Sequence, residues 1–145
     1  METTQYIARE FTFLHSISAI GAACVFIIIM SLIKEPQKQK INALLIAGAG
    51  AVYWSGGLGV WEFAFGTIML FVAYKGLKSY YFIGVGWMLH TFWDILHHFY
   101  GQPIVYLNSS SSAGCAVCDT VLAIWFFMGA PSVFSLFKFS PKLTA

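Results

Sequence analysis

Ionisable side chains are scarce in this chain of 145 residues, which has four histidines and six acidic residues, and they are unevenly spread. The run from Gly86 to Gly101 holds His90, Asp94, His97 and His98 among residues that are otherwise apolar, aromatic or small. At about 100° per residue these four share one helical face about 100° wide. Imidazole and carboxylate donors together suit a divalent transition metal such as zinc, iron or manganese better than the softer copper(I). Spacings of three and four residues let a single helix supply two or three such ligands.

Glu62 and Asp119 are the other acidic residues embedded in apolar sequence. Each is expected to act as a further ligand or as the general base that works on metal-activated water. The pair Asp94-x-x-His97 has the spacing used by di-metal carboxylate bundles. Those bundles use it twice and this chain has it once, so a mononuclear site fits at least as well.

The elements that must position these residues read as membrane helices. Hydrophobic residues make up 59% of the chain and charged residues 10%, whereas a soluble domain carries roughly 25% charged residues. A first span is expected over 11–33, ended by Lys34-Glu35-Pro36 and the lysines that follow. From Ile41 to Ala73 the chain stays apolar, and as one helix it would reach about 50 Å, well beyond the roughly 30 Å hydrocarbon core. It must break, and Ser55-Gly56-Gly57-Leu58-Gly59 is the natural place. Spans are therefore expected at 41–54 and 58–74, then at 80–100 and 113–130, with Ser111 or Ser112 capping the last and an interfacial tail at 132–139. Gly48 and Gly50 should give the second helix a small-residue surface for close packing.

Five spans put the termini on opposite sides. Lys34, Lys38, Lys40, Lys75, Lys78, Lys138 and Lys142 then share one side and leave Arg9 on the other. Positive charge favours the cytoplasm, so the expected fold is an all-α, polytopic transmembrane bundle, N-out and C-in. In that topology Glu62, Asp94 and Asp119 all lie roughly 7 to 9 Å below the outer boundary, with His15 at a similar depth. Ionisable groups inside spans are functional candidates by default. The inner halves of the helices offer few polar steps, so a site reached from outside or from the lipid is favoured over a channel.

Several alternatives stand beside the metal site. One is a transporter or binding protein for a metal, proton or small molecule, including haem with histidine axial ligands as the less favoured cofactor. Another is a polar network that only joins helices. Cys115-Ala116-Val117-Cys118 could be a redox pair, an oxidised disulfide or a source of soft ligands, although packing is the commoner role for cysteines in a membrane helix and the expected one for Cys24. Most aromatics suit interfaces and lipid contact, with Trp61 and Trp93 expected at the rim of the site. No phosphate-binding loop, serine elbow or nucleic-acid motif is present. Membrane lipids, a lipid-like substrate and a second copy of the chain are the partners expected.

A set of motifs runs through the chain: Trp61-Glu62, then Tyr74-Lys75-Gly76-Leu77-x-Ser79-Tyr80, then Gly84-x-Gly86-Trp87-x-Leu89-His90-Thr91-x-Trp93-Asp94-x-x-His97-His98-x-x-Gly101-x-Pro103-Ile104. Ser111-Ser112-Ala113-Gly114-Cys115-Ala116 and Gly129-Ala130-Pro131-Ser132 follow. Over roughly residues 40 to 135 this combination resembles a family of small bacterial integral membrane proteins classed as a domain of unknown function. The resemblance implies a membrane fold in the bacterial cytoplasmic membrane and no established reaction. From the residues themselves, the expected function is a metal-dependent enzyme, hydrolase- or oxidase-like, acting on a lipid-like substrate near the outer face.

Overall fold

The computed structural model describes residues 12–52, 54, 57–102, 104–105 and 110–136. Part of the Ser55–Gly59 break, Pro103, Asn108, Arg9, Lys138, Lys142 and the tail beyond 136 lie outside them. Among the described residues the fold is all-α, with α1 at Phe13–Leu32, α2 at Gln37–Ala51 and α3 at Val60–Gly76. The chain continues through α4 at Tyr80–Tyr100, α5 at Ser111–Phe127 and a single turn, α6, at Val133–Leu136. α4 is the hub, packing on α2, α3 and α5, while α1 lies against α5.

Small residues set these contacts. A Cβ on Gly50 would come within 2.5 Å of Met69 Cβ, so α2 and α3 meet almost backbone to backbone. Gly86 brings α4 onto Ile46 of α2, and Gly84 brings it onto Phe127 and the Ala123 carbonyl of α5. Gly48, expected to share this role, has nothing within 4 Å of a Cβ position. It lies two residues, about 200°, around the helix from Gly50 and faces outward. The connection between α2 and α3 requires glycine at Gly57 and Gly59, whose φ values are 97° and 64°.

Of the expected helices only α4, at Tyr80–Tyr100, keeps both its bounds. α2 begins at Gln37, before Ile41, because Lys38 belongs to the bundle: it is 6% exposed and its ammonium donates to the Ala130 carbonyl at 2.9 Å. The same ammonium pairs with Glu35 at 2.9 Å, and the Tyr80 hydroxyl donates to Glu35 at 2.6 Å. Burial pushes the Glu35 carboxyl up, but these two hydrogen bonds and the lysine charge outweigh it and hold the group below its ordinary value. α5 begins at Ser111 with Ser110 as N-cap and no side-chain cap bond, so Ser112 is inside the helix and buried. α3 starts at Val60 and runs on to Gly76.

Among the described residues, α1 alone is long and apolar enough to cross a membrane. Cys24, expected to be packed, is exposed on this helix. Its neighbour Ala23 turns inward and is fully buried, which at one residue of separation leaves Cys24 facing out.

Candidate metal centre between α4 and α5

His90 and Asp94 lie one turn apart on α4 and face Asp119 of α5. All three are buried, at 5%, 0% and 5% exposure. His90 Nδ1 is 2.7 Å from Asp119 Oδ2 and 3.3 Å from Asp94 Oδ2. Its other nitrogen, Nε2, is 3.0 Å from the Ala49 carbonyl. A carbonyl can only accept, so Nε2 carries a proton and Nδ1 is the atom turned on the carboxylates. Ala49 can serve because it lies in the last turn of α2, where backbone carbonyls run out of full helical partners. The short second helix thus orients the imidazole.

One donor atom from each of the three residues lies within 4.8 Å of the others. Ligands of a four-coordinate ion with bonds of about 2.0–2.2 Å sit about 3.3–3.6 Å apart, a spacing that the His90–Asp94 pair at 3.3 Å already has and that the His90–Asp119 pair at 2.7 Å would reach by opening slightly. A divalent cation would offset both carboxylates. Without one, a proton on Nδ1 can bridge to them, which makes the same cluster a plain hydrogen-bonded tie between α4 and α5.

His97 does not join this group. One turn further along α4, its Nε2 is 2.9 Å from Glu62 Oε1 on α3. Glu62 also accepts from the Trp93 indole at 3.1 Å and from the Leu58 N–H at 3.1 Å. His97 Nδ1 faces the Trp93 carbonyl at 3.0 Å, so both ring nitrogens meet oxygen atoms. Phe65 separates the two clusters chemically, stacked on Trp93 at 4.3 Å and lying 6.2 Å from His90. The expected Asp94-x-x-His97 pair therefore diverges, with Asp94 turned to α5 and His97 to α3.

The remaining candidates fall elsewhere. His98 lines an apolar groove of about 480 Å³ between α4 and α5, with Thr91, Ile95, Phe99, Ala113, Ala116, Val117 and Thr120. His15 Nδ1 accepts from the Thr12 N–H at 3.1 Å and so ties down the start of its own helix. Cys115 and Cys118 are free thiols, not a disulfide. Trp61 is exposed, whereas Trp93 is half-buried against Glu62. The Ala49 carbonyl and the buried Lys38 were not among the sequence candidates; a backbone acceptor leaves no sequence signal, and Lys38 stands among other lysines.

A profile described as "Family of unknown function (DUF6010)" matches residues 14–132. The chain belongs to the DUF6010 family. The DUF6010 match takes in nearly all of α1, the whole of α2 to α5 and both polar clusters. No curated protein and no solved structure matches the chain.

Proposed function

We propose that this DUF6010 protein is a multi-pass membrane metalloenzyme in which His90, Asp94 and Asp119 hold one zinc, iron or manganese ion. The observation that carries the reading is the buried group of one imidazole and two carboxylates, drawn from facing turns of two helices with their donor atoms mutually within 4.8 Å. Three protein ligands leave a coordination position open for water, the arrangement that distinguishes catalytic from structural metal sites. The metal would lower the pKa of that water and make it a nucleophile near neutral pH. The groove that begins beside Thr91 and His98 would take the apolar part of a lipid-like substrate. In this reading His97 and Glu62 hold α3 against α4 and so position the ligand helix.

The membrane assignment is supported by an inverted distribution of polarity. Ile17, Ile28, Phe63, Leu70, Phe92 and Phe99 are exposed while Glu62, His90, Asp94, His97 and Asp119 are buried. α2 and α3 have 15 and 17 residues, or about 22 and 26 Å of rise, which a bilayer of about 30 Å accommodates by local thinning. The lysine distribution supports an orientation with the site toward the outer face of a cytoplasmic membrane.

A second reading, a metal-free polar network, is favoured by the 2.7 Å His90–Asp119 separation, which is hydrogen-bond geometry. Chelator-treated, detergent-solubilised protein titrated with zinc(II), iron(II) or manganese(II) distinguishes the two. Saturation at about 100 times Kd should stabilise the wild type by about 2.7 kcal/mol, and His90→Ala and Asp119→Asn should lose the effect. A wild type whose unfolding is indifferent to all three metals would favour the network.

A further inference from the structure

We propose that the groove between α4 and α5 binds one glycerophospholipid, with an acyl chain along its walls and the phosphate at His98; this rests on the membrane-metalloenzyme reading above and names the substrate class of that site. The His90–Asp119 contact and the contacts of Gly84 with Phe127 and the Ala123 carbonyl make α4 and α5 antiparallel. In that register Thr91 stands beside Thr120 and His98 beside Ala113, so the groove runs lengthwise along the pair for about 10 Å. Its inner end starts one residue past both His90 and Asp119. Its volume of about 480 Å³ lies in the range of pockets that enclose a small ligand.

The walls decide what can enter. The Thr91 hydroxyl donates to the Trp87 carbonyl at 3.0 Å and the Thr120 hydroxyl to the Ala116 carbonyl at 2.8 Å. Both threonines thus spend their protons on their own helices and have none to donate to a guest. With Ile95, Phe99 and Val117 beside them the surface is largely hydrocarbon, and a polar guest would lose its hydration without recovering hydrogen bonds. Ile95 and Phe99 are also exposed on the flank of the bundle, so the groove can be entered sideways from the lipid. Among the described lining residues His98 is the one ionisable side chain.

Depth assigns the two ends. Under the five-span topology His98 lies two residues from the outer end of α4, about 3 Å below the boundary and close to the head groups, whereas Thr91 lies nine residues, about 14 Å, below it among the acyl chains. An imidazole N–H can donate to a phosphate oxygen. Asp94 is one turn, about 6 Å, further in than His98, so the ester linkages of such a lipid, and not its phosphate, come level with the metal-binding residues. The hydrolase-like form of the reading suits this placement: the oxygen of metal-activated water bonds to the ester carbonyl carbon, the acyl–oxygen bond breaks and the proton passes to the leaving alcohol. A helix from a second copy, the other apolar occupant, would find only two turns of groove and would bury the imidazole against hydrocarbon.

Photolabelling of the full-length, detergent-solubilised protein tests this, with phosphatidylglycerol carrying a diazirine in one acyl chain as the probe. Cross-links should concentrate on 91–99 and 113–120, above the level on the exposed face of α1, and excess unlabelled phosphatidylglycerol should compete them away. Ala113→Phe, which fills the outer end of the groove, should lower labelling there about tenfold and leave labelling of α1 unchanged. His98→Leu should lower labelling by this probe to the level of an uncharged diacylglycerol probe with the same chain. Equal labelling of α1 and the groove, or groove labelling unchanged in Ala113→Phe, makes the lipid merely annular and overturns the proposal. Chain-to-chain cross-linking through 91–99 overturns it in favour of self-association. Should Ala113→Phe fail to fold, the competition on the wild type decides. Zinc(II) titration of the same samples keeps the two readings apart: groove labelling in a wild type that binds no metal leaves the lipid site standing and overturns the metalloenzyme, while metal binding without groove labelling does the reverse.

Discussion

His90 and His97 are seven residues apart on one helix and face different partners. His90 has a backbone carbonyl fixing Nε2–H and two carboxylates at Nδ1, so a cation can replace the proton there. His97 is committed at Nδ1 to the Trp93 carbonyl and at Nε2 to a glutamate that already accepts from an indole and a main-chain N–H. This division makes a separable prediction. Glu62→Gln leaves too few acceptor sites for those three donors and should cost about 1–3 kcal/mol in thermal unfolding, while the protein's metal affinity stays within a few-fold of wild type. Loss of metal in Glu62→Gln would show that the two clusters act as one. The stripe of His90, Asp94, His97 and His98 was legible in the sequence because period and composition coincide. Its partition was not, because at about 100° per residue the four span enough arc to meet α3 on one side and α5 on the other.

At the scale of the helices, close approach at glycine decides whether α2 and α4 meet where Ala49 can reach His90. Gly86→Ala would put a Cβ 2.7 Å from Ile46 Cγ2 and Gly50→Ala one at 2.5 Å from Met69 Cβ. Each should destabilise the bundle by about 1–3 kcal/mol, and Gly48→Ala, with open space around it, should stay within about 0.5 kcal/mol of wild type. Thermal unfolding in one detergent, applied to all three, checks the ranking; equal losses at Gly48 and Gly50 would contradict the packing described. Sequence alone treats Gly48 and Gly50 alike, since neither composition nor period fixes the rotation of a helix that is apolar on every face. Helix ends were easier to read, because Pro36, Gly57, Gly59 and Gly101 interrupt the pattern. The start of α2 was obscured by Lys38, whose charge reads as a loop residue until its partners Glu35, Tyr80 and the Ala130 carbonyl are seen.

For the molecule as a whole, polarity is gathered at two places, the Glu35–Lys38–Tyr80 group beside Ala130 and the His/carboxylate clusters toward the other ends of the same helices. Under the five-span reading the first lies at the cytoplasmic face and the second near the outer one. A reporter fused after Ala145 should then be active only in its cytoplasmic form, and an extracytoplasmic C-terminus would invert the account of which face the site serves. Composition made the apolar character legible at once, whereas the number of crossings was not, because α2 and α3 fall short of a full hydrocarbon thickness. Elemental analysis of protein purified without chelator should find close to one equivalent of zinc, iron or manganese per chain in the wild type and far less in His90→Ala, Asp94→Ala and Asp119→Ala that remain folded. Folded wild-type protein free of transition metal, or variants that retain it in full, would contradict the site.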